Sequence, residues 1–100
     1  MNEINIDEIK SFLRTQPVEK AWIFGSYARG TQSPDSDIDI IVKLDPHVKV
    51  GLFKFSQIAL DLEAISKKKV DLVEDETLYN WVETNVSKEK ILIYERSASR

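Results

Sequence analysis

The run "DIDIIVKL", residues 37–44, is the segment that most restricts how this chain can fold. Its side chains alternate in character, and successive side chains of a β-strand point to opposite faces of a sheet. One face would then be wholly aliphatic (Ile38, Ile40, Val42 and Leu44). The other face would begin with two carboxylates, Asp37 and Asp39, followed by Ile41 and Lys43. The strand must therefore cover a core on one side and hold two like charges together on the other.

The segments around this strand predict an α/β domain. Helical patterns are expected at 5–15, 26–30, 52–65 and 77–86, and strands at 18–24, 37–44, 70–73 and 91–95. Asn5 would cap the first helix, with Glu8 three residues later as in a capping box. Because helices alternate with strands, we expect a small mixed sheet with flanking helices. The Trp and Phe side chains are expected to fill its core.

Composition limits the class of protein. A chain of 100 residues predicts one domain spanning 1–100, and its net charge of −3 gives no overall basic field for binding nucleic acid. The absence of cysteine excludes disulfides and thiolate metal sites. No apolar run approaches the ~20 residues of a membrane span, and the N-terminus lacks a signal-peptide pattern. These features predict a cytoplasmic domain without membrane contacts.

The carboxylate pair suggests a metal site. Asp37 and Asp39 are two residues apart on a strand, which places their Cα atoms about 6.5 Å apart. Both could reach one ion, or two ions ~3.5–4 Å apart. The two charges repel unless a cation neutralises them, and oxygen ligands favour Mg²⁺, with Mn²⁺ as an alternative. The competing interpretation is a pair of exposed acids that protect an edge strand from aggregation.

Asp71 offers a third carboxylate. It lies in "KVDLV", which otherwise predicts a buried strand. If that strand pairs beside residues 37–44, at a spacing of roughly 4.8 Å, Asp71 completes a cluster of three aspartates. There it could take the proton from an attacking hydroxyl. Alternatively, Asp71 ends a strand and pairs with Lys69.

Gly25 and Ser26 lie at a predicted strand-to-helix turn. Gly25 lets backbone N–H groups approach an anion closely, and the start of the short helix offers further donors. Ser26 adds a hydroxyl, and Arg29 can direct a guanidinium at phosphate. The competing interpretation is an ordinary turn in which Ser26 caps the helix. Tyr27 could contact a nucleotide or pack in the core, and Lys43 could approach a phosphate or neutralise the aspartates.

Taken together, "GSYARGTQSPDSDIDI" resembles the signature of the DNA polymerase β-type nucleotidyltransferase superfamily. The variant with Gly25-Ser26, Arg29 and Asp37-x-Asp39 resembles the minimal nucleotidyltransferases (MNT) of HEPN–MNT toxin–antitoxin pairs. The resemblance covers essentially the whole chain. It implies the nucleotidyltransferase-type fold, a small mixed sheet with flanking helices.

The resemblance also implies the roles of the site residues. Asp37 and Asp39 would hold two Mg²⁺ ions, and Asp71 would be the third carboxylate, near the nucleophile. The pair Gly25–Ser26 would hold the β- and γ-phosphates of ATP, assisted by Arg29. A hydroxyl would attack the α-phosphorus and pyrophosphate would leave.

The resemblance implies a protein partner as well. That partner is a HEPN toxin, a helical RNase, and AMP is transferred from ATP to one of its tyrosines, so the chain would act as an antitoxin. Because little sequence follows residue 95, the acceptor surface is expected to come from another chain. Two alternatives stay open: an antitoxin that neutralises by binding alone, and a stand-alone nucleotidyltransferase acting on a small molecule or an RNA end.

Overall fold

The alternating strand lies inside a sheet of four strands in the computed structural model, which describes residues 5–75 and 90–96. The elements in chain order are α1 (Ile6–Leu13), β1 (Val18–Phe24), α2 (Ser26–Arg29), β2 (Ile38–Leu44), α3 (Leu52–Ser66), β3 (Val70–Glu74) and β4 (Ile91–Glu95). The helix expected at 77–86 lies outside the described residues. No helix within the described ranges is long and apolar enough to cross a membrane.

The sheet is mixed, as expected from the order of the elements. Its strands follow the order β3-β2-β1-β4. Strand β1 runs antiparallel to both β2 and β4, whereas β2 and β3 are parallel. Parallel neighbours need a crossover connection, and α3 provides it. This crossover determines which residues of β2 and β3 lie side by side.

Helix α1 begins where its cap predicts and ends earlier than its apolar pattern predicts. The Oδ1 atom of Asn5 accepts a hydrogen bond from the Glu8 backbone N–H at 3.1 Å. The α-helix ends at Leu13 rather than at Thr15. The next turn is tighter, because Thr15 and Gln16 donate to carbonyls three residues earlier instead of four. The early end is consistent with Pro17, because the helical conformation is disfavoured for the residue that precedes a proline.

The core lies on one face of the sheet, beneath α1 and α3. Its fully buried members come from both helices and from the central strands, and they include Ile9, Leu13, Ile23, Ile38, Ile40, Val42, Ile58 and Leu62. The aliphatic face predicted for β2 is therefore the core face. Leu44, the last residue of that face, differs from the other three because it is only half-buried.

The opposite face is apolar in its middle. Ile41 is fully buried there and pairs in register with Trp22. Trp22 was expected in the core but is only half-buried, with Lys90 Nζ 4.3 Å from its ring centroid. Such a cation over an indole ring is favourable. The face that carries the carboxylates is thus polar at the start of β2 and apolar further along it.

The C-terminal end of β2 is joined to its neighbours by a hydrogen-bonded network centred on Asp45. Arg96 Nη1 donates to Asp45 Oδ2 at 2.7 Å, and the His47 backbone N–H donates to Asp45 Oδ1 at 2.8 Å. The Asp45 N–H donates to the Pro17 carbonyl at 3.0 Å, and the Arg96 N–H donates to the Glu19 carbonyl at 2.8 Å. The His47 N–H and then Arg96 hold the pKa of Asp45 below its usual value.

The start of α3 differs from the expected amphipathic pattern. Ile58 and Leu62 are fully buried, as predicted. Leu52 was expected on the same apolar stripe but is 82% exposed, and Phe53 was expected in the core but is 95% exposed. Leu52 and Phe53 thus lie outside the core, whereas Phe55, two residues further along the helix, is partly buried against it.

Candidate active site

The turn after β1 has a backbone that requires glycine. Gly25 has φ 74° and ψ −148°, a region that residues with a Cβ rarely occupy. A Cβ added at Gly25 would overlap Oδ2 of Asp39. The missing side chain therefore lets the Asp39 carboxylate lie against the turn. Gly25 is itself the N-cap of α2 and Ser26 is the first helical residue, so the interpretation of Ser26 as the cap is wrong.

Helix α2 is a single turn that places Arg29 beside the carboxylates. The Arg29 N–H donates to the Gly25 carbonyl at 3.1 Å, and Gly30 ends the helix in the left-handed region. Arg29 is exposed, and its charge acts on Asp39 to lower that carboxyl's pKa. Tyr27, on the same turn, is 2% exposed and belongs to the core cluster, which confirms packing rather than nucleotide contact.

The loop before β2 is held by hydrogen bonds between Ser33 and Ser36 and by one from Lys68. The Ser36 hydroxyl accepts from the Ser33 backbone N–H at 2.8 Å. Lys68 Nζ, from the connection after α3, donates to the Pro34 carbonyl at 2.9 Å. Sequence reasoning missed this contact; the "KKK" run was visible, but nothing local indicated its target. These bonds fix the turn from which Asp37 leads into the strand.

Strand register brings two of the three predicted carboxylates together. Asp39 of β2 lies opposite Asp71 of β3, and the Ile38 N–H donates to the Lys69 carbonyl at 2.8 Å at the start of this pairing. Strand β2 begins at Ile38 and not, as predicted, at Asp37. Asp37 therefore precedes the ladder and is exposed, while Asp39 is half-buried.

The pKa of Asp39 is raised above its usual value. Partial burial is the largest cause, followed by the negative charges of Asp71 and Asp37, with Arg29 opposing them. A side-chain hydrogen bond with Asp71 also raises it. Asp39 thus lies close to two other acids and to the guanidinium of Arg29. Such a cluster favours a proton or a metal cation between its carboxylates.

The donor set fits a hard divalent cation in charge and chemistry. It offers carboxylate oxygens only, the type of ligand that Mg²⁺ prefers. Over residues 5–75 and 90–96, however, no three potential ligands among His, Cys, Asp and Glu are grouped closely enough for one ion. Binding through Asp37, Asp39 and Asp71 together stays a prediction.

Lys43 is not part of this cluster. Both interpretations of Lys43 placed it near the site, at a phosphate or among the aspartates. Its Nζ instead lies 3.3 Å from Glu19 Oε1, and both side chains are partly exposed. Lys43 therefore forms a surface ion pair within the sheet.

Sequence comparison identifies the family. Residues 7–99 match the family described as "Polymerase beta, Nucleotidyltransferase". The chain belongs to this nucleotidyltransferase family, which confirms the resemblance of its motif.

Two relatives narrow the class within that family. The chain is 32% identical over 97 residues to a Methanocaldococcus jannaschii protein described provisionally as a protein adenylyltransferase, covering 88% of this chain and 97% of that one. It is 31% identical over 101 residues to the protein adenylyltransferase MntA of Thermococcus cleftensis, covering 93% of this chain and all of that one.

Solved structures confirm the fold. A toxin–antitoxin complex with AMP-PNP contains a chain that matches at TM-score 0.77 and 24% identity, covering 94% of this chain and 76% of that one. A Shewanella oneidensis complex of a tri-AMPylated HEPN toxin with its MNT antitoxin matches at TM-score 0.62 and 16% identity, covering 92% and 74%. The nucleotidyltransferase-type mixed sheet with flanking helices is thereby confirmed.

Proposed function

We propose that this chain is a Mg²⁺-dependent protein adenylyltransferase. It transfers AMP from ATP to a tyrosine hydroxyl of a HEPN-type toxin and so acts as the antitoxin. The observation that carries the proposal is the pairing of Asp39 with Asp71 beside the glycine turn. The whole 1–100 sequence acts as one nucleotidyltransferase domain in this proposal.

The carboxylates divide into two roles. Asp37 and Asp39 would hold the metal, which when bound stabilises charge on the entering and leaving oxygens. Asp71 would accept the proton of the attacking hydroxyl. The hydroxyl oxygen bonds to the α-phosphorus, the bond from that phosphorus to the bridging oxygen breaks, and pyrophosphate leaves.

The glycine turn would hold the rest of ATP. Gly25 brings backbone close to the β- and γ-phosphates, and the Ser26 hydroxyl donates to them. Arg29, already within electrostatic range of Asp39, would offset the charge that the triphosphate brings. The contribution of these residues is positioning and charge stabilisation.

The choice of a protein acceptor rests on the comparisons. Both relatives are named as protein adenylyltransferases, and this chain matches each of them over nearly its full length. Among the solved structures, one complex contains AMP-PNP and another an AMPylated HEPN toxin. These names support a HEPN toxin as the acceptor and ATP as the donor.

The test uses the protein encoded by the adjacent gene as the acceptor. The two proteins are incubated with ATP and Mg²⁺, and their masses are measured. We expect an adduct of one or more AMP groups on the partner. A complex that forms without any adduct contradicts the proposal.

A matched variant separates catalysis from binding. The double substitution Asp37→Asn and Asp39→Asn should abolish the adduct and the neutralisation of the toxin in cells, while the complex still forms. Full neutralisation by this variant would favour an antitoxin that acts by binding alone. Efficient transfer to a small acceptor or an RNA end without the partner would favour a stand-alone enzyme.

A further inference from the structure

The short connection between α3 and β3 contacts the chain on both sides of Asp37. Lys68 Nζ donates a hydrogen bond to the Pro34 carbonyl at 2.9 Å, on the N-terminal side of Asp37. The Lys69 carbonyl accepts a hydrogen bond from the Ile38 N–H at 2.8 Å, on the C-terminal side. Asp37 is therefore the carboxylate that lies between two attachments to the same connection.

The position of Asp37 depends on these attachments. Asp37 is outside the strand ladder, because β2 begins at Ile38, and its exposed side chain is not part of the core cluster. It nevertheless lies within electrostatic range of Asp39, which pairs in register with Asp71. An exposed residue outside a ladder is held mainly through its neighbours along the chain. The hydrogen bond from Lys68 to the preceding loop thus helps to set how far Asp37 lies from the other two carboxylates.

The backbone around Lys68 is itself fixed. The Ser66 side chain, only 6% exposed, accepts a hydrogen bond from the Lys68 N–H and donates one to the Lys68 carbonyl, both at 3.3 Å. The Lys67 N–H donates to the Glu63 carbonyl at 2.7 Å, and Glu63 Oε2 accepts from the Val70 N–H at 3.0 Å. Because the connection is anchored to α3 and to β3, little further ordering is needed for the half-buried Lys68 side chain to hold the loop.

We propose that Lys68 is a positioning residue that holds Asp37 in place for binding the metal ion. Metal-ligating side chains are oriented by partners that do not touch the metal, and a loosely held ligand loses affinity. Lys68 acts through the Pro34 carbonyl, on the turn that leads into Asp37, without contacting the ion or the nucleotide. This proposal rests on the proposed function insofar as Asp37 is a metal ligand.

A lysine near bound ATP also acts by its charge, and the two roles predict opposite results. Mg²⁺ reduces the negative charge of ATP, so the loss of a nearby cation weakens the binding of metal-free ATP more than that of MgATP. We call the ratio of these two Kd values, metal-free ATP over MgATP, the Mg²⁺ enhancement. Loss of charge alone would raise the Mg²⁺ enhancement, whereas a misplaced Asp37 would lower it.

The test measures the Mg²⁺ enhancement by calorimetry, with ATP in EDTA and with ATP plus Mg²⁺. Lys68→Met removes the donor and should lower the Mg²⁺ enhancement about threefold to tenfold, the range expected for one lost hydrogen bond. Lys68→Arg keeps a charged donor and should retain most of it. Equal losses in Lys68→Met and Lys68→Arg contradict the proposal.

Lys67→Met is the matched control, because it removes the same charge one residue earlier. Lys67 is exposed, and within residues 5–75 and 90–96 its side chain forms no hydrogen bond or ion pair. Its φ of 61° is left-handed, but methionine carries a Cβ as lysine does, so the backbone strain is unchanged. The Mg²⁺ enhancement should stay within about twofold of the wild-type value. A loss as large as that of Lys68→Met would overturn the role of the Pro34 contact.

A second measurement needs neither ATP nor metal. In the loop before β2, the Ser33 N–H donates to the Ser36 hydroxyl at 2.8 Å, and the Ser36 N–H donates to the Ser33 carbonyl at 3.0 Å. Exchange of these two amide protons should be faster in Lys68→Met than in the wild type or in Lys67→Met. Unchanged exchange would contradict the action of Lys68 through the loop. Faster exchange with a wild-type Mg²⁺ enhancement would make Lys68 a structural residue only and overturn the proposal.

The outcomes separate the two proposals. A wild-type Mg²⁺ enhancement in Lys68→Met, in a protein that transfers AMP to the product of the adjacent gene, overturns the role of Lys68 and leaves the proposed function intact. A lowered Mg²⁺ enhancement in Lys68→Met, when the wild type transfers no AMP, supports the role of Lys68 and overturns the proposed function. A wild-type protein whose affinity for ATP does not depend on Mg²⁺ overturns both.

Discussion

The two ends of β2 each carry a carboxylate, and the protein treats them in opposite ways. At the C-terminal end, Asp45 receives hydrogen bonds from Arg96 and from the His47 backbone, and its pKa is lowered. At the N-terminal end, Asp39 is half-buried beside Asp71 and Asp37, and its pKa is raised. Asp45 is neutralised within the fold, whereas Arg29 offsets the charge at Asp39 only in part.

The difference separates a structural carboxylate from a functional one. Asp45 joins the ends of three strands, which is a sufficient reason for its presence. Asp39 makes the metal-free fold less favourable at neutral pH, because its ionised form is penalised by burial and by like charges. A carboxylate whose ionised form is penalised by its surroundings is typical of a functional site.

The largest expected effect is on catalysis. Asp39→Asn should lower the rate of AMP transfer by about 10²-fold or more, the order of magnitude that one lost electrostatic group costs. Asp45→Asn should leave the rate unchanged. Transfer is followed by the mass of the partner. If both variants lost the same fraction of the transfer rate, the two ends of β2 would not differ in function.

The same two variants should change the melting temperature in opposite directions: Asp39→Asn should not lower it, whereas Asp45→Asn should. Because the folded pKa of Asp39 is raised, the folded protein holds that proton more tightly than the unfolded chain, so ionisation at neutral pH weakens the fold. In metal-free buffer at pH 7, Asp39→Asn should melt at or above the wild-type temperature. This advantage should fade as the pH falls into the ordinary carboxyl range. A much lower melting temperature would make Asp39 a structural residue.

MgATP should stabilise the protein by binding at the N-terminal end of β2, and not at its C-terminal end. A ligand that binds only the folded state adds about 2.7 kcal/mol at 100 times its Kd. Thermal melts with and without Mg²⁺, ATP or both measure the effect. Asp37→Ala should abolish the shift, whereas Asp45→Asn should keep it. A full shift in the Asp37→Ala protein would exclude that carboxylate from the nucleotide and metal site.

Two glycines test the close approach of Asp39 to its turn. Gly25 and Gly30 have nearly equal φ angles of 74° and 75°, but a Cβ at Gly30 meets nothing within 4 Å. Gly30→Ala should therefore cost only backbone strain, about 1–2 kcal/mol. Gly25→Ala should lower the free energy of unfolding further, because its ψ of −148° is more strained for alanine than the ψ of 20° at Gly30 and because its Cβ overlaps Asp39. Adding Asp39→Ala to Gly25→Ala should recover the part of the loss that the overlap causes; additive effects would mean that the two positions do not interact.

The smallest expected effect concerns Asp45 and pH. Its lowered folded pKa means that the stabilisation is complete above the ordinary carboxyl pKa and is lost as the pH falls through the folded value. Asp45→Asn should therefore melt below the wild type at pH 7 and match it in acid. Glu19→Gln, which breaks only a surface pair with Lys43, is the control and should change little. A difference between wild type and Asp45→Asn that persists in acid would show that the charge is not the cause.

Local patterns predicted most of the fold correctly. Alternation in residues 37–44 identified the core face of β2, and the cap at Asn5 located the start of α1. The helix starting at Leu52 was placed correctly, but the burial of Leu52 and Phe53 was predicted wrongly. Helical spacing shows which side chains share a face; it does not show which of them another element of the fold covers.

The sequence by itself determined the chemistry that the chain carries. A local pattern carries it: the glycine at position 25, the serine beside it and the carboxylates on a strand. Local backbone geometry is enough to place Gly25 and Ser26 at one turn and to direct the Asp39 side chain away from the aliphatic face. Only the tertiary structure decided that Asp39 lies opposite Asp71 and that Lys68 bonds to the Pro34 carbonyl. Those contacts depend on how α3 returns the chain to β3 beside β2. Neighbouring residues encode conformation and side-chain direction, whereas register and exposure depend on segments that meet only after the chain has packed.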